Sequence, residues 1–231
     1  MYEFMIDTAN LSDIGECLDK WAVSGVTTNP SILKKEGNVD LYPHLAKIKA
    51  LCGSERSLHV QVVSEKADDM IAEAKYICEK LGRDVYIKIP VSEEGVTAIK
   101  KLSAMGINVT ATAVYSEFQG IMAVLAGAKY VAVYYNRMEN NCIDPCAVIR
   151  GIRAFIDNNR NSGGCDARLL GASFKNAGQV TSAFAAGCHS VTVGVDVVKT
   201  ALGMASIDAA VKNFASDFFA IHGENTNMIL I

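Results

Sequence analysis

The sequence predicts an α/β protein, a (β/α)8 barrel with an extra helix at its C-terminus. Eight short runs rich in Val, Ile, Thr or aromatic residues recur along the 231 residues, as strands require. Amphipathic segments with apolar residues three and four positions apart lie between them. Alternating strands and helices form parallel sheets, and a (β/α)8 barrel takes about 250 residues. We therefore expect one domain over residues 1–231.

The predicted elements alternate from one end of the chain to the other. The strands are Phe4–Asp7, Gly25–Asn29, Leu58–Val63, Val85–Pro90, Val109–Val114, Tyr130–Arg137, Leu169–Phe174 and Ser190–Val195. The clearest helices are Leu11–Trp21, Ala67–Leu81, Glu94–Ala104 and Asp144–Ile156. An open doubly wound sheet is the main alternative, and its phosphate-binding fingerprint is a Gly-x-Gly-x-x-Gly turn after the first strand. Asp7-Thr8-Ala9-Asn10 occupies that position and contains no glycine, which favours the barrel.

A helical tail follows the last helix of the barrel, which we expect near Val197–Gly203. Residues 204–231 of this tail contain an apolar stripe at helical spacing, formed by Ile207, Ala210, Val211, Phe214 and Phe218. A closed barrel does not need this helix. Its apolar face must be buried, and either the bottom of the barrel or a neighbouring subunit can cover it.

Charge and hydropathy argue against nucleic-acid and membrane partners. The chain has 22 basic and 25 acidic side chains, a formal net charge of -3, and no basic cluster for nucleic acid or an anionic membrane. No stretch approaches the roughly 18 apolar residues of a spanning helix. Glu3 and Asp7 lie where a signal peptide carries positive charge, so we expect a cytoplasmic protein.

The seven cysteines are an odd number in a chain large enough to fold without disulfides, which predicts reduced thiols. Cys142 and Cys146 lie four residues apart, a spacing that can begin a metal site. No second Cys or His pair follows them, and a zinc site needs about four ligands. We therefore predict no metal site.

Polar residues accumulate at the C-terminal ends of the predicted strands, where the active sites of (β/α)8 barrels lie. Seven strands contribute such residues, more than ordinary solvated loops explain. They are Asp7, Thr27, Asn29, Gln61, Lys88, Thr112, Tyr134, Asn136, Arg137, Ser173 and Lys175. The pattern predicts one shared site at this end of the barrel.

Lys88 is the most informative residue of this set. Along Val85–Pro90 the alternation of side chains directs the aliphatic residues towards the helices and directs Tyr86 and Lys88 into the barrel. Burial lowers the pKa of a lysine and leaves a neutral amine that can attack a carbonyl group and form a Schiff base. The alternative is a lysine at a strand end that extends to solvent.

Arg137 ends the sixth predicted strand, and Ser173 and Lys175 end the seventh. The late strands of barrels often form a phosphate site, for which a hydroxyl group and two cations are suitable. A phosphorylated substrate is the resulting prediction. Each cation taken alone is equally compatible with an ordinary solvated strand end.

Thr27 and Asn29 have the same strand parity, so both can present polar groups to sugar hydroxyls inside the barrel. Asn29-Pro30-Ser31 also fits a strand-to-helix junction without function, because Asn caps helices and Pro favours the first helical turn.

Together these motifs resemble the small transaldolase family, most closely its fructose-6-phosphate aldolase branch. The resemblance covers nearly the whole chain in order. It rests on Ile-Asp-Thr at the first strand, Gly-Val-Thr-Thr-Asn-Pro-Ser at the second, Lys-Ile-Pro at the fourth, Thr-Ala-Val-Tyr at the fifth, Tyr-x-Asn-Arg at the sixth and Ala-Ser-Phe-Lys at the seventh.

The resemblance implies a class I aldolase in which Lys88 forms a Schiff base, Asp7 handles protons, and no metal or organic cofactor takes part. It implies sugar-phosphate and small ketone or aldehyde substrates, with fructose 6-phosphate cleaved to, or formed from, dihydroxyacetone and glyceraldehyde 3-phosphate. The implied substrate-binding residues are Thr27, Asn29, Arg137, Ser173 and Lys175. The resemblance further implies a homo-oligomer, a decamer of two pentamers with the terminal helix on a neighbouring subunit.

Two positions distinguish the branches that the resemblance implies. Transaldolases have Glu at the third strand and Phe at the sixth, where this chain has Gln61 and Tyr134. Gln61 cannot carry a proton and only orients a water with Thr112, whereas the Tyr134 hydroxyl and this water can protonate the enamine on Lys88 and release dihydroxyacetone. We rank the aldolase above a transaldolase, and both above a non-catalytic sugar-phosphate-binding protein.

Some residues depart from the aldolase pattern and leave the preferred substrate open. Ala132-Val133-Tyr134 stands where that branch has Ala-Pro-Tyr, and the loop Glu139-Asn140-Asn141-Cys142 lacks the glycines that we expect. His59 has the inward parity of Gln61. It is either a second acid/base group or a packed residue of a barrel layer.

Overall fold

A computed structural model describes residues 2–164 and 166–229 and contains a closed barrel of eight parallel strands in chain order. Strand β8 pairs with β1, which closes the barrel. The strands are β1 (Glu3–Asp7), β2 (Gly25–Thr27), β3 (Ser57–Gln61), β4 (Tyr86–Pro90), β5 (Val109–Val114), β6 (Tyr130–Tyr134), β7 (Arg168–Ala172) and β8 (Ser190–Val193). The predicted (β/α)8 class is confirmed.

Helices lie between consecutive strands, and within the described residues two helices follow the last strand. They are α1 (Leu11–Lys20), α2 (Pro30–Leu33), α3 (Leu41–Cys52), α4 (Ala67–Leu81), α5 (Glu93–Ala104), α6 (Glu117–Leu125), α7 (Tyr135–Asn140), α8 (Pro145–Asn161), α9 (Ala177–Ala186), α10 (Val195–Leu202) and α11 (Ala205–His222). A 3-10 turn at Lys34–Glu36 extends α2. The four predicted helices are present, and only α8 is markedly longer than predicted.

Side-chain caps determine where the chain turns from strand to helix. The Asn29 side chain accepts a hydrogen bond from the Ile32 amide at 3.0 Å, and Pro30 occupies the first turn of α2. Pro at this position loses no helical hydrogen bond, because the first amides of a helix have no partner within it. The predicted junction at Asn29-Pro30-Ser31 is confirmed.

The sixth and seventh strands end earlier than the sequence predicts. Strand β6 stops at Tyr134, and Arg137 lies on helix α7. Strand β7 stops at Ala172, where Ser173 turns the chain with a φ of 63°, and Lys175 lies in the following loop. The prediction that these residues end strands is wrong, because the Asn136 amide bonds the Ser173 carbonyl at 3.1 Å outside the regular ladder.

Two apolar layers build the core, as the alternation of side chains predicts. Ile87, Ile89 and Val131 pack between the sheet and the helices. Met5 and Leu170 pack inside the barrel. Because inward and outward residues alternate along every strand, each strand contributes to both layers.

An aromatic layer fills the N-terminal part of the barrel interior, and we call it the barrel floor. The His59 and Tyr86 rings stack with centroids 4.6 Å apart, and Tyr130 meets both rings edge-on. Below the floor, the Tyr130 hydroxyl donates to Glu3 at 2.9 Å, and Glu3 forms a 3.0 Å ion pair with Arg168. The polar groups at this end are thus satisfied by one another.

Helix α11 confirms the predicted helical tail and lies apart from the core. None of its residues is buried, and Ile207, Val211, Phe214, Phe219 and Ile221 are exposed. Three residues of its apolar stripe are therefore exposed in the single chain, whereas Ala210 and Phe218 are half-buried. Among the described residues, no helix is both long and apolar enough to cross a membrane.

Candidate active site

A cavity of about 100 Å³ opens at the C-terminal end of the barrel, and we call it the inner cavity. Its lining is Asp7, Asn29, Lys88, Thr112, Ala132, Tyr134, Arg137, Leu170, Ala172, Ser173 and Thr192. A wider outer cavity of about 620 Å³ shares Asp7, Asn29, Arg137, Ser173 and Thr192 with it and adds Lys175. The two cavities bring together eight of the eleven residues predicted for one shared site, leaving Thr27, Gln61 and Asn136 outside their linings.

Lys88 lies inside the barrel at the base of the inner cavity, as the alternation along β4 predicts. Its side chain is 5% exposed, and its Nζ donates a hydrogen bond to the Thr28 main-chain carbonyl at 2.8 Å. Burial lowers the pKa of Lys88, although the negative charge of Asp7 opposes this shift. A buried amine with a lowered pKa has the neutral form that nucleophilic attack requires.

Asp7 is held by two threonines from neighbouring strands. The Thr27 hydroxyl donates to Asp7 Oδ1 at 2.5 Å and lies 2.7 Å from the Thr192 hydroxyl. A hydroxyl group has one proton, so Thr192 donates to Thr27. Burial raises the pKa of Asp7, and the positive charge of Lys88 lowers it to a smaller extent. The carboxyl group is therefore suited to take up and return a proton.

The structure shows a contact of Thr27 that the sequence does not predict, and it adds Thr192 to the lining of the site. Thr27 is 1% exposed and lines neither cavity, so its hydroxyl positions Asp7. Thr192 lines both cavities but is absent from the predicted set. A signal for it exists, because Thr192 is a polar residue of inward parity on the eighth strand.

The opposite side of the inner cavity presents a pair of hydroxyl groups. Thr112 Oγ1 and the Tyr134 hydroxyl lie 2.9 Å apart, and burial raises the pKa of Tyr134. The Arg137 guanidinium lies over the Tyr134 ring, 4.9 Å from its centroid, and donates to the Tyr115 hydroxyl at 3.3 Å. Tyr115 is absent from the predicted set and directs Arg137 towards the cavity mouth.

Gln61 has a different position from the other predicted residues. It is in register with Lys88 on the neighbouring strand, yet it lines a surface groove beside the start of α4 and α5 and not the inner cavity. Its Oε1 is buried and accepts no hydrogen bond from the described residues. Direct contact between Gln61 and the Thr112 hydroxyl is not present in the structure.

Gln179 joins the two segments that carry Arg137 and Ser173. Its Nε2 donates to Asn136 Oδ1 at 3.0 Å, and its Oε1 accepts from the Lys175 amide at 2.7 Å. These bonds fix α7 against the loop after β7. The sequence gives no signal for this residue, because it lies on α9 and far along the chain from Asn136.

His59 lies in the barrel floor and reaches neither cavity. Its ring nitrogens contact Thr110 Oγ1 at 2.8 Å and Ser57 Oγ at 3.0 Å. Burial lowers the pKa of His59 to about 3, so the ring is neutral at physiological pH. Of the two interpretations left open by the sequence, this geometry supports a packed residue of a barrel layer.

Similarity to known proteins agrees with the fold and with the motifs. The family model described as Transaldolase/Fructose-6-phosphate aldolase matches residues 4–228. The chain belongs to this family. A curated relative from Streptococcus pneumoniae (strain ATCC 700669 / Spain 23F-1), named "Probable fructose-6-phosphate aldolase", is 42% identical over 224 residues. The match covers 97% of this chain and 99% of the relative, which confirms the family resemblance.

Solved structures outside the family show the same barrel. An IMP dehydrogenase/GMP reductase-like protein from Corynebacterium glutamicum has a TM-score of 0.58 at 16% identity, and the match covers 83% of this chain and 63% of that protein. An inosine 5' monophosphate dehydrogenase from Legionella pneumophila has a TM-score of 0.59 at 10% identity, covering 85% of this chain and 58% of that enzyme. At such low sequence identities, these two matches show a shared fold and no more.

Replacing His59 with Gln should change how stability depends on pH and leave the pH profile of activity in place. The unfolded imidazole has a pKa near 6.5, against about 3 in the folded chain. The unfolded chain binds more protons between these values, so stability contributed by neutral His59 is complete above about pH 6.5 and is lost as the pH falls towards 3.

Urea unfolding midpoints between pH 8 and pH 4.5 measure this effect, and the midpoint should fall more steeply in the wild type than in His59→Gln. Gln is the replacement because its amide keeps a donor and an acceptor near Thr110 and Ser57. A displaced pH profile of activity in the variant would show that His59 takes part in catalysis.

Proposed function

We propose that this protein is a class I aldolase that cleaves or forms fructose 6-phosphate through a Schiff base on Lys88. The observation that carries the proposal is a buried amine at the base of a polar cavity, bonded to a neutral carbonyl and not to a carboxylate. Membership of the family supports it, as does the relative named as an aldolase. The second family activity, transaldolase, is the alternative.

The reaction begins when neutral Lys88 Nζ attacks C2 of fructose 6-phosphate. Asp7 donates a proton to the hydroxyl group of the resulting carbinolamine, and loss of water then gives a protonated Schiff base, which acts as an electron sink. Asp7 removes the proton of the C4 hydroxyl group. The C3–C4 bond then breaks, its electron pair moves towards the Schiff base, and glyceraldehyde 3-phosphate leaves as the aldehyde. A three-carbon enamine remains on Lys88.

Release of dihydroxyacetone requires a proton at C3 of the enamine. The Thr112 and Tyr134 hydroxyls form a bonded pair on the cavity wall, and a water held by them supplies this proton. The buried, unpaired Oε1 of Gln61 is a further acceptor for water near Lys88. Hydrolysis of the new Schiff base then frees dihydroxyacetone and regenerates the amine.

Substrate binding is shared between the two cavities. The Asn29 side-chain oxygen is occupied by the cap of α2, so its amide nitrogen is the group that binds a sugar hydroxyl. Arg137 and Ser173 lie where the inner and outer cavities meet, and Lys175 lines the outer cavity. A guanidinium, a hydroxyl and an ammonium group are suitable ligands for the substrate phosphate.

The assembly we propose is a homo-oligomer, a decamer of two pentamers, in which α11 packs on a neighbouring subunit. The exposed residues of its apolar stripe support this, because an apolar helix face is normally covered. We further propose a cytoplasmic location, which rests on the unpaired cysteines of the described residues. Cys165 lies outside those residues.

Lys88 should carry the covalent intermediate. Treatment with dihydroxyacetone and borohydride should add one reduced ligand to the peptide containing Lys88, because borohydride reduces the Schiff base. Lys88→Met should abolish both labelling and activity, whereas replacing the exposed Lys100 with Met should change neither. Mass spectrometry locates the label, and a label on another lysine, or an active and folded Lys88→Met protein, excludes the mechanism. EDTA should leave the rate unchanged, since the amine performs the chemistry.

Tyr134→Phe and Gln61→Glu should shift the enzyme from release towards transfer. Loss of the Tyr134 hydroxyl in Tyr134→Phe should slow enamine protonation by roughly 10²-fold, the usual effect of one acid/base group. Transfer of the three-carbon unit to erythrose 4-phosphate, measured against release of dihydroxyacetone, should rise in each variant and rise most in the double variant if both groups act on one water.

The matched control is Tyr115→Phe, which removes a neighbouring phenol that bonds Arg137 and not Thr112. This variant should raise KM for phosphorylated substrates and leave the transfer-to-release ratio unchanged. A wild type that already transfers much faster than it releases establishes the transaldolase alternative.

Light scattering at micromolar concentration should give about ten times the 24.8 kDa chain mass. Phe214→Asp places a charge on the exposed stripe of α11 and should reduce this mass, because burying an unpaired charge in an interface is costly. A wild-type monomer contradicts the assembly and leaves the proposed chemistry untouched.

A further inference from the structure

The outer cavity has a basic side chain, Lys35, that the proposed phosphate ligands do not include. Lys35 follows helix α2 and lines this cavity together with Arg137 and Ser173. Strands β2 and β6 are four positions apart in a closed barrel of eight strands. The segment after β2 and the segment after β6 therefore extend from opposite sides of the mouth, with Lys35 on one side and Arg137 on the other.

Helical spacing directs Lys35 towards the cavity. Ser31, Ile32, Lys35 and Glu36 all line it, and residues four apart share a helix face. Lys34 precedes Lys35 in the same 3-10 turn. Both lysines are exposed, but Lys34 belongs to the lining of neither cavity. Lys34 and Lys35 are thus adjacent lysines that differ in the face of the turn on which they lie, and only Lys35 lies on the cavity side.

The segment that carries Lys35 is fixed at both ends. At its start, the Asn29 side chain caps α2 through the Ile32 amide. At its end, the Asn10 side chain donates to Glu36 Oε2 at 3.1 Å. Since Asn10 itself caps helix α1, the turn is tied to the loop after β1, and Lys35 is held beside the mouth.

The charges around the outer cavity leave Lys35 available for an anion. Four carboxyl groups line it: Asp7, Asp13, Glu36 and Asp196. Asp7 is bonded to Thr27, Asp13 is paired with Lys199, and Glu36 is bonded to Asn10. Asp196 is exposed and, among the described residues, forms no ion pair with Lys35 or Lys175. Within residues 2–164 and 166–229, the Lys35 and Lys175 ammonium groups contact no carboxylate. Phosphate dianions favour sites with several such cations.

We propose that Lys35 is a specificity-determining residue that contacts the phosphate of the aldehyde substrate from the side opposite to Arg137 and Ser173. It favours phosphorylated over unphosphorylated aldehydes, and it does not touch the reacting carbons. This inference rests on the proposed aldol reaction. Because the contact is equally present before and during bond formation, its loss raises KM for the phosphorylated aldehyde. The Lys35 charge also lowers the pKa of Asp7, but this effect is common to both aldehydes and cancels when their rate constants are divided.

The test compares Lys35→Met, Lys34→Met and Lys35→Arg. The quantity measured is kcat/KM for addition of dihydroxyacetone to glyceraldehyde 3-phosphate, divided by the same constant for unphosphorylated glyceraldehyde. The ratio should fall about tenfold or more in Lys35→Met, remain at the wild-type value in Lys34→Met and be largely kept in Lys35→Arg. An unchanged ratio in Lys35→Met, or an equal fall in Lys34→Met, overturns the inference.

Failure of the proposed function gives a different result. Borohydride trapping of dihydroxyacetone on Lys88 tests the aldolase chemistry in each variant and should not depend on Lys35. If the wild type forms no adduct, calorimetric titration with glycerol 3-phosphate still tests Lys35 by affinity alone. Binding should weaken about tenfold in Lys35→Met and stay constant in Lys34→Met, and equal affinities in the two variants overturn the role of Lys35.

Discussion

Burial of the Lys88 amine restricts which hydrogen-bond acceptors can lie next to it. Its one described hydrogen bond goes to the Thr28 main-chain carbonyl, an acceptor that cannot take a proton. A carboxylate in the same place would stabilise the ammonium form and raise the pKa. Asp7 is close enough for its charge to act on Lys88, but its oxygen is engaged by Thr27. Strands from separate parts of the chain therefore combine to keep one amine both buried and satisfied.

The site divides its tasks between strands and the segments that follow them. Groups proposed for bond making and breaking, such as Lys88 and Asp7, lie on strands, where neighbouring ladders hold them to the precision that such chemistry needs. The proposed phosphate ligands Arg137 and Ser173 lie beyond the strands. Arg137 lies on α7, and Ser173 follows β7 with a φ of 63°. A phosphate accepts hydrogen bonds from many directions, so its ligands tolerate this less regular backbone.

The sequence predicts the parts of this arrangement that depend on local pattern. The alternation along Val85–Pro90 is sufficient to place Lys88 inside the barrel, because side chains on a strand alternate without regard to distant residues. The ends of β6 and β7 are not predictable in this way, since a bond between Asn136 and Ser173 decides them. The contacts of Gln179 are not predictable either, because they too join distant parts of the chain. The Thr28 carbonyl that accepts from Lys88 is not predictable because every residue has a main-chain carbonyl.

The barrel floor bears on the order in which the substrates of the proposed reaction bind and its products leave. Stacked His59 and Tyr86, with Tyr130 across their edges, close the interior beneath Lys88, so the mouth is the shared route for every molecule that enters or leaves. In the proposed reaction, a triose phosphate bound by Arg137 and Ser173 covers the three-carbon unit attached to Lys88 below it. The proposed reaction is therefore ordered: the phosphorylated aldehyde departs first during cleavage, and during synthesis the ketone binds before the aldehyde.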